Sequence, residues 1–297
     1  MSDEWLDLPP APREVSSSAV VQELLGDALT QIGLVFVAFG LFFVAMFAAR
    51  ADLTSWYVFR GALESAQGRA LSCADTHASE GGSRHRRGTP IYAVAYEFDA
   101  PGGGRLAGTS YARGGCPSPG SAVIVEWPAG HPETSRVAGL RTNVFSAAAA
   151  FTLIFPLIGL GLAAAGIRGG LKDVRLLARG TSARGRLVDK APTNVKVNHR
   201  TVYALTFAFV DGGGVERRAV TKTAFPELLE SVERENLFYD PADPSQMVTV
   251  DTLPALIRVG DSGRIEPRFP WKTAGVLLVP GLIALELAAW WLLRGRL

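Results

Sequence analysis

The sequence predicts an α-helical membrane protein with three transmembrane helices and two small all-β soluble modules. Two observations carry that expectation. Apolar residues, 48% of the 297, gather into three blocks instead of spreading along the chain. The polar segments between those blocks read as two copies of one β-rich pattern.

The blocks are residues 32–49 ("IGLVFVAFGLFFVAMFAA"), 144–167 ("VFSAAAAFTLIFPLIGLGLAAAGI") and 274–293 ("AGVLLVPGLIALELAAWWLL"). Each approaches the roughly 20 residues needed to cross about 30 Å of hydrocarbon, and Glu286 is the one charge among them. Residues 1–31 hold six acidic side chains and only Arg13, which argues against a cleaved signal peptide with its basic start. This tail is expected to be extended through "LPPAP" and to form a short amphipathic helix at "SSSAVVQELLGD" against the membrane surface or another chain.

The polar segments are residues 50–143 and 168–273. Each opens on Ser-Ala-x-Gly-Arg, at Ser65 and Ser182. Each continues into an aromatic strand, "IYAVAYEF" from Ile91 and "VYALTFAF" from Val202, that ends in three glycines. Each closes on an apolar strand before a proline turn, with Trp127 and Tyr239 at matching places. The period-2 pattern places Tyr92, Val94, Tyr96 and Phe98 on one face, matched by Tyr203, Leu205, Phe207 and Phe209. Short strands punctuated by Gly and Pro suit small barrel-like modules of the SH3 or OB kind. The second copy adds a helix at "FPELLESVERE", a basic juxtamembrane helix at 168–180 precedes it, and residues 294–297 form a tail.

The Gly-Arg turn, the aromatic strand with its glycine turn, "HPETSRVAG", "YDPADP" and the flanking apolar segments resemble a family of bacterial multi-pass membrane proteins catalogued only as a domain of unknown function. The resemblance implies a small β-fold beside membrane helices and assigns no catalytic residues.

Within about 20 residues of the apolar blocks, eleven Lys and Arg lie on the side holding the amino terminus and second loop, against seven on the other, so the amino terminus is expected in the cytoplasm of a bacterial inner membrane. Arg168, Lys172, Arg175 and Arg179 share one helical face, a stripe suited to anionic lipid; the alternative is a solvated helix face. Both thiols, Cys73 and Cys116, lie in the first loop. They allow a disulfide in an oxidising compartment, two free cysteines, or a zinc site with His77 and His85 that lacks the paired short spacings of structural zinc. Glu286 either hydrogen-bonds a neighbouring helix or lines a polar path. Gly159 with Ala163 and Gly161 with Ala165 suit close helix packing.

Nucleotide, hydrolase and metalloprotease motifs are missing from the sequence, and "GLGLAAAG" lies in an apolar helix where phosphate binding has no geometry. The expected function is therefore a non-catalytic interaction scaffold without cofactor. The alternatives are a small transporter or channel subunit using Glu286 in an oligomer, and a membrane-tethered enzyme. The implied partners are the bilayer, anionic lipid at the cytoplasmic face, an unidentified protein and, through Glu286, further copies of the chain. Nucleic acid is not expected, because the net charge of residues 168–273 is mostly juxtamembrane and outward strand positions lack stacking aromatics.

Overall fold

A computed structural model describes residues 8–197, 199–230 and 234–294. Part of the expected tails (1–7 and 295–297) and three positions of the "FPELLESVERE" helix lie outside them. The chain divides into two compact units, Phe39–Phe155 and Met1–Ala38 with Pro156–Leu297.

Helix α1 (Ser17–Leu25) starts at Ser16, whose hydroxyl accepts the Ala19 N–H. Asp27 accepts N–H groups from Leu29 and Thr30 and so caps α2 (Ala28–Met46). A 3-10 turn and the short helix α3 (Leu53–Tyr57) lead into the first sheet. Its strands are β1 (Leu63–Glu80), β2 (Thr89–Ala100), β3 (Gly104–Arg113), β4 (Ala122–Pro128) and β5 (Arg136–Val137). A 3-10 run, Ala147–Leu153, opens into α4 (Ile154–Arg179). The second sheet comprises β6 (Thr181–Val197), β7 (Arg200–Val210), β8 (Glu216–Thr223), β9 (Glu235–Asp240) and β10 (Asp243–Thr249), with α5 (Glu227–Glu230) before β9. A hairpin of β11 (Ile257–Val259) and β12 (Ile265–Pro267), then α6 (Lys272–Val276) and α7 (Leu278–Arg294), end the described chain.

Both sheets are antiparallel, ordered β3-β2-β1-β4-β5 and β8-β7-β6-β9-β10. Their irregularities correspond. The first strand of each slips between Ala70 and Ser72 or Leu187 and Asp189, and again between Asp75 and Ser79 or Pro192 and Lys196. At the second slip Thr76 donates to the Ile91 carbonyl (2.6 Å) and Thr193 to the Val202 carbonyl (2.7 Å). The glycine of each Ser-Ala-x-Gly-Arg stretch lies where the strand crosses its core. A Cβ on Gly68 would overlap Val125 and the Glu97 carbonyl, and one on Gly185 would overlap Leu237. Positive φ at Gly102 and Gly103 turns β2 into β3.

The aromatic faces are the buried ones. Tyr96, Phe98, Val125 and Trp127 form the first core, with Phe98 stacked on Trp127 at 5.0 Å. Leu205, Phe207, Phe209 and Tyr239 anchor the second. The first sheet curls until Tyr111 on β3 and Arg141, just past β5, exchange two backbone hydrogen bonds.

The three-span fold class is not what the chain adopts. The described residues form two five-stranded sheets and a two-stranded hairpin, with two helical runs long and apolar enough to cross a membrane, Ala28–Arg50 and Ala147–Arg179. The third apolar block breaks at Leu277, leaving α7 with 17 residues, about 25 Å at 1.5 Å per residue. Pro280 explains the break, because it has no N–H to offer the Val276 carbonyl; the Gln31 side chain takes that carbonyl at 3.1 Å instead. The expected basic surface helix at 168–180 is likewise no separate element, since α4 runs unbroken to Arg179.

Candidate functional site

Contact of α4 with α1 and α2 is built from small residues on one face of α4. A Cβ on Gly159 would overlap the backbone of Gly33 and Val37, one on Gly33 would overlap Ala163, one on Gly166 would overlap Thr30, and one on Gly170 would overlap the Glu23 carbonyl. The contacting row is therefore 159, 163, 166 and 170, at helical spacing. Of the pairs expected from sequence, Gly159 and Ala163 lie in this contact. Gly161 meets nothing within 4 Å, and Ala165 is exposed. Away from the row, Leu157 and Leu160 remain 65% and 56% exposed.

Polar side chains surround the amino-terminal end of this pair. The apolar residues of α1 were expected against the membrane surface or another chain; within the chain Ala19, Gln22 and Glu23 are the buried ones, while Val20, Val21, Leu24 and Leu25 are half-buried. Gln22 donates to the Phe269 carbonyl and to the Thr273 hydroxyl. Glu23 accepts the Ala255 N–H at 3.0 Å, and its other carboxylate oxygen has no hydrogen-bond partner among the described residues. Burial, reinforced by the negative charge of Asp173 and opposed by the Ala255 N–H, pushes the Glu23 carboxyl up to about 8. Arg13 caps the carboxyl end of α4. Its side chain donates to the carbonyls of Leu177 and Gly180, its backbone N–H to Ala178, and its guanidinium lies 5.3 Å from the Phe238 ring centroid.

In the other unit, two carboxylates fasten the chain where it leaves α2 and approaches the 3-10 run. Asp52, buried, accepts from the Ser55 N–H and from the N–H and hydroxyl of Thr142. Burial opposes its ionisation, but these hydrogen bonds outweigh burial and hold the carboxyl below its usual range. Glu80 behaves alike: burial is outweighed by Arg141, the Ser146 N–H and Arg113. The sulfurs of Cys73 and Cys116 lie at disulfide-bonding distance, with Cα atoms 6.3 Å apart. That pairing removes both thiols from the alternative zinc set, whose His77 and His85 are exposed. Among the described residues no group of three His, Cys, Asp or Glu could hold a metal.

The basic stripe is exposed. Arg168, Lys172 and Arg179 are exposed, and Arg175 approaches Asp240 at 3.8 Å. Glu286 is half-buried on α7, and its Oε2 has no hydrogen-bond partner among the described residues. A shallow cleft of about 430 Å³ on the second sheet is lined by Thr181, Ser182, Arg184, Asp211, Arg234 and Tyr239. Its carboxylate is engaged by Arg217 at 2.8 Å and by backbone N–H groups of its own turn. Sequence reasoning missed Arg13, Gln22, Glu23, Asp52 and Glu80. Gln22, Glu23 and Asp52 are signalled only as charged or amide side chains near an apolar block, Arg13 and Glu80 not even so, and the main partners of all five are distant in the chain.

No known protein family matches the sequence, and no curated protein does. Among solved structures, a chain from a replication protein A heterotrimer bound to single-stranded DNA aligns with a TM-score of 0.16 and 11% identity. The alignment covers 73% of this chain and 52% of that one, so the present chain spans about half the length of its structural match. A likeness that low carries no argument about fold or function.

Proposed function

We propose that this chain is a bacterial inner-membrane protein that acts as a non-catalytic interaction scaffold. In this reading α2 and the run through α4 cross the bilayer, residues 50–143 face the extracytoplasmic side, and the amino terminus shares the cytoplasm with the second sheet. One observation carries it: the two helices meet through a row of glycines and alanine while their large apolar side chains stay outside. Only 17% and 28% of their most apolar windows are buried, whereas a core helix of a soluble protein buries most of its surface. Small residues at the contact are how helices pair where lipid, not water, surrounds them.

Three further features support the orientation. Lys and Arg favour the side of the amino terminus, the paired cysteines suit an oxidising compartment, and Arg13 and Val15 bond to α4 and Ile265, within the same unit. The shared strand order and the matching irregularities support descent of both sheets from one duplicated module. Thiol labelling of engineered cysteines in either loop, applied from each side of inverted and right-side-out vesicles, tests the layout. Residues 50–143 should react from the outer face alone and residues 181–268 from the inner face alone. Reaction of both from one face would refute the proposal.

A further inference from the structure

We propose that the end of α2 and the 3-10 run before α4 frame a slot for one acyl chain of a membrane phospholipid. The inference rests on the membrane reading above and deepens it by assigning a bound ligand. A cavity of about 470 Å³ is lined by Phe39, Phe43 and Phe47 on one side and by Ala149, Phe151 and Phe155 on the other. The phenyl rings form two ladders at i, i+4 spacing, with centroids 5.1 Å apart for Phe39–Phe43, 5.9 Å for Phe43–Phe47 and 5.8 Å for Phe151–Phe155. Thr152, also at the wall, donates its hydroxyl to the Ala149 carbonyl at 2.9 Å. No lining side chain is left with a polar group for a ligand.

The gap between the two aromatic ladders is open along one side, where Phe39 and Phe151 are 64% and 66% exposed, and an exposed apolar groove of this kind marks a ligand or membrane contact. Its apolar wall selects hydrocarbon over water. Size then chooses among hydrocarbons: a partner helix is about 10–12 Å across with its side chains and is too bulky, while the volume falls within the range of small-molecule pockets. A single unbranched chain suits it. The local backbone is unusual in the same place. The 3-10 run Ala147–Leu153 has seven residues, longer than such runs ordinarily extend and of a kind often found at functional positions. Pro156 lacks the N–H that an α-helix would direct at the Thr152 carbonyl, which accounts for the tighter turns upstream.

Past Phe47 the chain turns polar and aromatic. Arg50 follows Phe47 by one 3-10 turn, its N–H bonded to the Phe47 carbonyl at 3.1 Å. Beyond it α3 presents Trp56, with the Arg60 guanidinium 4.4 Å over its ring, and the exposed Tyr57. Aromatic and cationic groups of this kind mark the headgroup level of a bilayer. The chain therefore enters methyl end first, leaving its phosphate level with Arg50.

The test uses the full-length protein in phosphatidylcholine vesicles containing a minor share of phosphatidylglycerol with a diazirine on its acyl chain, irradiated and mapped by mass spectrometry. Adducts should concentrate on Phe43, Phe47, Phe151 and Phe155 relative to the lipid-exposed references Leu157 and Leu160. Ala149→Trp, which places an indole in the slot, should abolish that excess and spare the references. Equal labelling of slot and references would overturn the slot and leave the membrane reading standing, as would protection of the slot by a protein side chain. Absence of adducts at all six positions would overturn both. Should Ala149→Trp fail to fold, the wild-type ratio decides alone.

Discussion

The two sheets share their strand order, their irregularities and an aromatic pair in the core, yet they are completed by different means. The β1–β5 sheet closes on itself, with Arg141 returning to β3 and Cys116 reaching Cys73 across 43 residues of sequence. Its core is small, and a crosslink compensates for limited burial as in many small domains. The β6–β10 sheet recruits distant chain. Ala19 of α1, Leu176 and Leu177 of α4, and Ile257 and Ile265 of the hairpin build a second cluster around Phe238 and Val248. One strand plan thus tolerates either a covalent staple or a borrowed core.

That contrast can be broken at several points. The largest effect is expected from Trp127→Ala, which removes the ring stacked on Phe98 and should cost about 3–5 kcal/mol. Hydrogen exchange should accelerate through β1–β4 and leave β6–β10 unchanged. Reduction of Cys73–Cys116 comes next: a closed loop of this length corresponds to about 4 kcal/mol of chain entropy. Adding reductant should lower the melting temperature of the first sheet alone, and equal loss in both sheets would contradict independent completion.

The buried carboxyls of the two units should respond to pH with opposite signs. Asp52 and Glu80 have lowered carboxyl pKa values, so their contribution is present above the unfolded pKa and disappears as pH falls through the folded one. Glu23 is raised to about 8, and Glu235 to about 7 by burial and the neighbouring charge of Asp251. For these the folded state holds the proton longer, so stability is greatest below the unfolded pKa and declines as pH rises towards the folded value. From 4.5 to pH 7 the Glu23 share is about 3 kcal/mol, an order-of-magnitude figure. Glu23→Gln should flatten the decline in hydrogen-exchange protection around α1 and the β11–β12 hairpin while leaving the acid response of the first sheet intact. The smallest effect is expected at Tyr239, whose hydroxyl accepts the Gly212 N–H at 2.8 Å. Tyr239→Phe should cost about 1 kcal/mol, measured by denaturant midpoint.

Much of the sheet architecture was legible because its signals are local. Alternation from Tyr92 to Phe98 and from Tyr203 to Phe209 marked the buried faces, whereas Ser-Ala-x-Gly-Arg, expected as the turn a first strand leaves, lies inside β1 and β6. Helix extent was legible only in part. Hydropathy sees the block at 274–293 but not the missing N–H of Pro280, nor that Gln31 holds the carbonyl that proline leaves. The spacing of small residues located Gly159 and Ala163 but could not choose between their face and that of Gly161 and Ala165, since both satisfy an interval of four. The buried carboxylates were invisible for another reason: Glu23 meets Ala255 and Asp52 meets Thr142, pairs separated by 232 and 90 positions.

The bridge between Val15 and Ile265 has a consequence for biosynthesis. A ribosome delivers Val15 long before Ile265, so the leading segment waits, unpaired, until the β11–β12 hairpin has been made. The β1–β5 sheet has every strand in hand long before then. Premature termination anywhere ahead of the final hairpin would strand the amino-terminal residues without their docking surface, giving quality-control proteases a direct means of distinguishing incomplete products from finished ones.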